Sequence, residues 1–127
     1  MTGRRDFADR LPAALRAVVE VRPSARGEGH DVACPRAALR ELCRWLFKQA
    51  GYGFATLVVE ETDAPLWSLA YVFHGPDRGD RITVMLEQEI ENNAVPTISD
   101  LVHAADWHER EAEDLFGLVF ENHPRLG

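Results

Sequence analysis

Three runs rich in β-branched and aromatic residues follow one another almost without interruption: 54–61 (FATLVVEE), 66–74 (LWSLAYVFH) and 80–88 (DRITVMLEQ). The stretches between them, TDAP and GPDRGD, are loaded with turn formers. A parallel crossover needs a dozen or more residues, so strands joined this tightly must run antiparallel. In the last run Ile82, Val84 and Leu86 alternate with Arg81, Thr83, Met85 and Glu87. That alternation turns one face of the sheet toward a core and leaves the other largely wet.

A half-open sheet needs a helical cover, and the clearest helix lies just upstream. Pro35 suits a first helical position; Leu39, Leu42, Cys43, Leu46, Phe47 and Ala50 form one apolar stripe, and Gly51 ends it. Nearer the N-terminus, Phe7, Leu11, Ala14 and Leu15 predict a helix within 6–16 that Pro12 must kink or delay. Residues 17–22 read as a short strand, 23–29 as a turn and 30–34 as a returning strand. Toward the C-terminus, 89–96 is a polar excursion, Ser99 can cap a helix holding Leu101, Val102 and Ala105, and a further helix runs from about 106 to 116 before Gly117. The expected fold class is therefore α+β: a two-layer sandwich of helices on a mixed, mainly antiparallel sheet, in the order α-β-β-α-β-β-β-α. No linker or repeat divides the 127 residues, which read as a single domain, 1–127.

Charge narrows the function classes. The net charge of −7 is split: residues 1–50 carry ten Lys and Arg against six Asp and Glu, whereas residues 80–127 carry three against eleven. An acidic second half repels phosphate backbones, so nucleic acid is not an expected partner. No apolar run approaches the ~18 residues that span a bilayer, and Asp6, Asp9 and Arg10 interrupt any secretory leader, making the cytoplasm the expected address. Cys34 and Cys43 lack metal-ligand spacing and read as packing residues in a reducing compartment.

The chemistry that needs explaining sits in ADWHEREAEDLFG, residues 105–117. On a helix, Trp107, Glu111, Asp114 and Leu115 fall at i, i+4, i+7 and i+8, so two carboxylates share a stripe with two large apolar side chains. As a core face this is odd, because an unpaired buried carboxylate costs several kcal/mol. Arg110 can reach Asp114 within the helix, but a single guanidinium cannot neutralise Glu109, Glu111, Glu113 and Asp114. The sharper reading is that the helix docks on another protein, which supplies Arg or Lys to the carboxylates and an apolar groove to Trp107. The bland one is a solvated acidic face. An enzymatic reading takes His108, Glu109 and Glu111 as a small carboxylate- or metal-dependent hydrolase. It is weakened because Ala112 stands where a zincin helix places its second His. A protein-interaction module unrelated to respiration is a third.

The run 105–117, followed by Phe120 and His123-Pro124, resembles the signature of the 30-kDa subunit family of proton-pumping NADH:quinone oxidoreductase, respiratory complex I. The same domain occurs in energy-converting nickel-iron hydrogenases of the formate hydrogenlyase type. The shared pattern, W-x-E-R-E-x-x-D-L-F-G, is carried here by Trp107, Glu109, Arg110, Glu111, Asp114, Leu115 and Gly117, with His123 and Pro124 in the following turn. A weaker likeness extends over residues 15–127. The resemblance implies a non-catalytic subunit of the peripheral arm, associated with the inner face of the membrane only through its complex. It also implies no cofactor in this chain: NADH, quinone, iron-sulfur clusters or a nickel-iron centre belong to partner subunits. The implied partners are the large subunit, 49 kDa or hydrogenase catalytic-like, and other peripheral-arm subunits. The signature residues would fix the C-terminal helix and its contact with the large subunit. The ending HPRLG is shorter than in quinone-oxidoreductase members and resembles the hydrogenase branch, either as a complete small subunit or as a piece of a longer polypeptide.

Overall fold

The structure is a computed structural model that describes residues 7–25, 27–61, 66–76, 80–89 and 94–121. His123 and Pro124, the connection 62–65 and most of the polar excursion at 90–93 lie outside these residues.

Two short helices open the chain, α1 (Phe7–Arg10) and α2 (Ala13–Arg16). They are separate because Pro12, extended at ψ 146°, begins the second rather than continuing the first. Phe7, Leu11 and Leu15 are buried, whereas Ala14 from the expected stripe is exposed. Hydrogen bonds from the Val18 and Val19 N–H groups to the Leu15 carbonyl carry helical turns past α2. Strand β1 therefore begins at Glu20, not at Ala17, and spans Glu20–Pro23.

β1 pairs antiparallel with β2 (His30–Ala33). The turn between them places Gly29 at φ +101°, where a Cβ would stand 2.1 Å from the Arg81 carbonyl oxygen. Only glycine lets β2 approach the neighbouring strand so closely.

The covering helix α3 (Leu39–Arg44) is preceded by a 3-10 turn (Arg36–Ala38) and followed by a π-helical turn (Trp45–Gln49). Leu39, Leu42, Cys43 and Leu46 lie fully in the core, as their spacing predicts. Phe47 does not: it is 39% exposed. The Ala50 N–H reaches back five residues to the Trp45 carbonyl, and this widened turn takes Phe47 off the stripe. It also lets Trp45 pack edge-on against Phe7 at 5.9 Å.

Strands β3 (Gly53–Glu61), β4 (Leu66–His74) and β5 (Arg81–Glu89) form the antiparallel meander. Among the described residues they make a five-stranded sheet in the order β1-β2-β5-β4-β3, with β2 parallel to β5 and the other pairs antiparallel. Val32, Val84 and Tyr71 stand in register across its centre, flanked by Leu86 with Leu69 and Ile82 with Phe73, all buried beneath the helices. Met85, on the opposite face, is 40% exposed, so the sheet is covered on one side only.

Two elements went unread in the sequence. Strand β6 (Ala94–Pro96) falls in the polar excursion and pairs in parallel with β7 (Val119–Glu121), which follows the last helix. Between β6 and that helix, residues 97–104 form turns rather than the helix expected after Ser99. The Leu101 and Val102 N–H groups both return to the Ile98 carbonyl, and the hydroxyl oxygen of Ser99 is held by Thr97 instead of capping a helix. The final helix, α4 (Ala105–Phe116), ends as expected: Gly117 is left-handed at φ 72° and its N–H bonds the Glu113 carbonyl.

Candidate functional site

The signature residues of 105–117 do lie on one helix, but the helix is turned differently from the reading that would bury Trp107 and Leu115. The buried row of α4 is Ala105, Glu109 and Ala112, at i, i+4 and i+7. Trp107, Glu111, Asp114 and Leu115 share the opposite face, with Trp107 64% and Leu115 68% exposed. Small alanines bring the helix backbone close to the rest of the fold, and bulkier side chains are left outside. The Ala-Glu-Ala spacing was the signal that could have revealed this orientation.

Glu109 is fully buried. Its carboxylate accepts the Ile98 N–H at 2.8 Å and the Thr97 hydroxyl. Burial is the main influence on its acidity, assisted by Asp106 and Glu113 and opposed by the two donors; together they push its pKa up to about 7. Thr97 is held in turn from α3: the Arg40 guanidinium donates to the Thr97 carbonyl at 2.6 Å and clasps Asp100 through two bonds of 2.8 and 2.9 Å. That hydrogen-bonded pairing holds the Asp100 carboxyl below its usual range. Farther along α4, Glu113 accepts the Phe120 N–H at 3.1 Å and so anchors β7. The ring of His108 meets Phe54 edge-on at 5.5 Å, and Phe116 meets Trp67 at 5.3 Å. Two signature carboxylates therefore part company: Glu109 is a structural fastener, while Glu111 remains in solvent with Asp114. Sequence reasoning missed Thr97, Ser99, Arg40 and Asp100, whose partners are remote in the chain.

Arg110 is exposed and, among the described residues, makes no ion pair with Asp114. The hydrolase constellation does not assemble. Glu109 points inward to residues 97–98, His108 rests on Phe54, and Glu111 is exposed. Among the described residues no group of three His, Cys, Asp or Glu side chains could hold a metal ion. A cavity of about 500 Å³ between α2 and α3 is lined mainly by apolar groups, among them Leu15, Val18, Ala38 and Trp45. Its charged members, Glu41 and Arg44, pair with each other at 3.3 Å. Among the described residues no helix is long and apolar enough to cross a membrane.

A five-stranded mixed sheet covered on one face and fastened to a carboxylate-rich helix is the fold of chains from membrane-associated respiratory complexes. The structure matches the trypsin-resistant fragment (1–134) of Nqo5 with a TM-score of 0.70 and 26% identity, over 85% of this chain and 89% of that one. At the level of fold alone it also matches a chain of the membrane-bound sulfane sulfur reductase, an archaeal respiratory membrane complex (TM-score 0.71, 20% identity, 83% of this chain and 63% of that one).

Residues 32–127 match the family described as respiratory-chain NADH dehydrogenase, 30 Kd subunit, and the chain belongs to that family. The corresponding NADH-quinone oxidoreductase subunit of Rhodopseudomonas palustris is 31% identical over 131 residues, covering 99% of this chain and 65% of the relative. Its counterpart in Chlorobium phaeobacteroides is 40% identical over 48 residues, covering 38% of this chain and 29% of the relative. Each time the chain spans less than two thirds of the curated relative.

Proposed function

We infer that this chain is a non-catalytic peripheral-arm subunit of a complex I-like or hydrogenase-type electron-transfer complex, docked on the large subunit through the outer face of α4. The observation that carries this reading is that face itself. A tryptophan and a leucine, both about two-thirds exposed, share it with Glu111 and Asp114 on an otherwise well-buried fold. Large apolar groups left in water beside unneutralised carboxylates suit a partner with an apolar socket rimmed by Arg or Lys. On this reading NADH, quinone, iron-sulfur clusters or a nickel-iron centre are held by other subunits, and the chain meets the cytoplasmic side of the membrane only through them.

The test separates binding from stability. Trp107→Ala should lower the domain's own stability by about 1 kcal/mol or less, since the side chain is mostly in water. The same change should weaken binding to a co-expressed large subunit by about 2 kcal/mol or more, roughly thirtyfold. Glu111→Lys with Asp114→Lys should abolish co-purification without unfolding the chain. Unchanged binding in both variants would remove this face from the assembly.

A further inference from the structure

Glu109 does more than fasten a helix. The two donors it accepts from, the Ile98 N–H and the Thr97 hydroxyl, are neutral, and Thr97 is itself shared. The Thr97 hydroxyl oxygen accepts the Ser99 N–H at 3.1 Å and stands 2.9 Å from the Ser99 hydroxyl, with both residues buried. A hydroxyl has one hydrogen and two lone pairs. While Glu109 is ionised, Thr97 gives its hydrogen to the carboxylate and accepts from the Ser99 hydroxyl. Once Glu109 is protonated, the acid O–H can donate to Thr97, whose hydrogen then turns to the Ser99 oxygen. Thr97 keeps one donated and two accepted bonds in either state.

We propose that Glu109, Thr97 and Ser99 form an internal proton-binding site in which the hydroxyl pair reverses direction as the carboxyl gains or loses its proton, so that the joint between α4 and residues 97–99 persists in both states. The proton comes from water and returns to it, and no other bond is made or broken. From α4, Asp106 and Glu113 favour the protonated form. From α3, Arg40 and Cys43 lie within electrostatic range, the guanidinium being engaged by the Thr97 carbonyl and Asp100. From β4 comes the buried Tyr71 hydroxyl. These influences, with burial the largest on Glu109 itself, leave the carboxyl near 7, so it changes state around neutrality.

The helix bearing the family signature thus alters its charge by one between mildly acid and mildly alkaline conditions. If Glu111 and Asp114 bind a cationic partner as inferred above, docking favours the ionised form and releases a proton. That consequence rests on the docking reading; the site itself does not, and its test needs no partner.

The carboxyl carbon of Glu109, carbon-13 labelled in the full chain and assigned by its loss in Glu109→Gln, is followed by NMR from about pH 4 to 9. A midpoint within about one pH unit of 7 is expected. Thr97→Val deletes the hydroxyl that donates to the carboxylate and should move the midpoint up. Ser99→Ala deletes the acceptor that serves only the protonated state and should move it down. A wild-type midpoint near the ordinary 4.5, or two variants shifting the same way, overturns the proposal. Should one variant fail to fold, the wild-type midpoint and the sign of the other decide.

Discussion

Replacing Glu109 by glutamine should make the protein more stable at alkaline pH, although Glu109 belongs to the family signature. The carboxyl is carried from an ordinary 4.5 to about 7, chiefly by burial. Because the folded-state value is the higher, the folded protein binds the proton more tightly than the unfolded chain does. The contribution of this group is therefore fully present below about pH 4.5 and is lost as pH rises through about 7. At about 1.4 kcal/mol per tenfold change in proton affinity, the loss amounts to about 3 kcal/mol above both values. Glutamine stays neutral throughout, and its amide oxygen can still accept the Ile98 N–H, while its NH2 group forces Thr97 to act as an acceptor. Urea unfolding of both proteins at several pH values from about 5 to 8.5 gives the stability difference, in which every other titrating group cancels. Relative to wild type, Glu109→Gln should gain about 3 kcal/mol across that range. A flat difference, or a slope of opposite sign, would refute the reasoning.

Two glycines offer a contrast. Gly117→Ala meets open space and suffers only its backbone at φ +72°, which should cost about 1–2 kcal/mol and lower the Tm by several degrees. Gly29→Ala drives a Cβ onto the Arg81 backbone and should cost more than Gly117→Ala, up to failure to fold; thermal melts giving equal losses would contradict the close approach of β2. Burial pushes the Cys34 thiol up to about 11 and the Cys43 thiol well above its usual range. Neither should react quickly with a thiol reagent at pH about 8, whereas both should in denaturant; a fast native thiol would place one of them at the surface.

Legibility in the sequence followed the range of the interactions involved. The meander was readable because its alternation and turn residues are local, and β4 spans 66–74 as its run predicts. The stripe Leu39, Leu42, Cys43 and Leu46 was readable for the same reason, and it failed at Phe47, where one five-residue hydrogen bond widened the helix. Helix α4 and its glycine end were readable, but its rotation was not. Trp107 and Leu115 are the most apolar residues of their stripe, and pattern alone would place them inside. The Thr97 and Ile98 donors instead draw Glu109 inward. Nothing in 105–117 announces these donors.

The order of strands and helices, the antiparallel meander, the acidic signature helix and its left-handed glycine end belong to the sequence alone, because each depends on neighbours within a few residues. Tertiary structure decided the parallel pairing of β2 with β5, the small β6–β7 sheet, and which carboxylate is buried and which is offered to solvent. Those outcomes join residues distant in the chain. Burying a carboxylate is tolerable only where such distant donors converge on it, a condition that folding alone can meet.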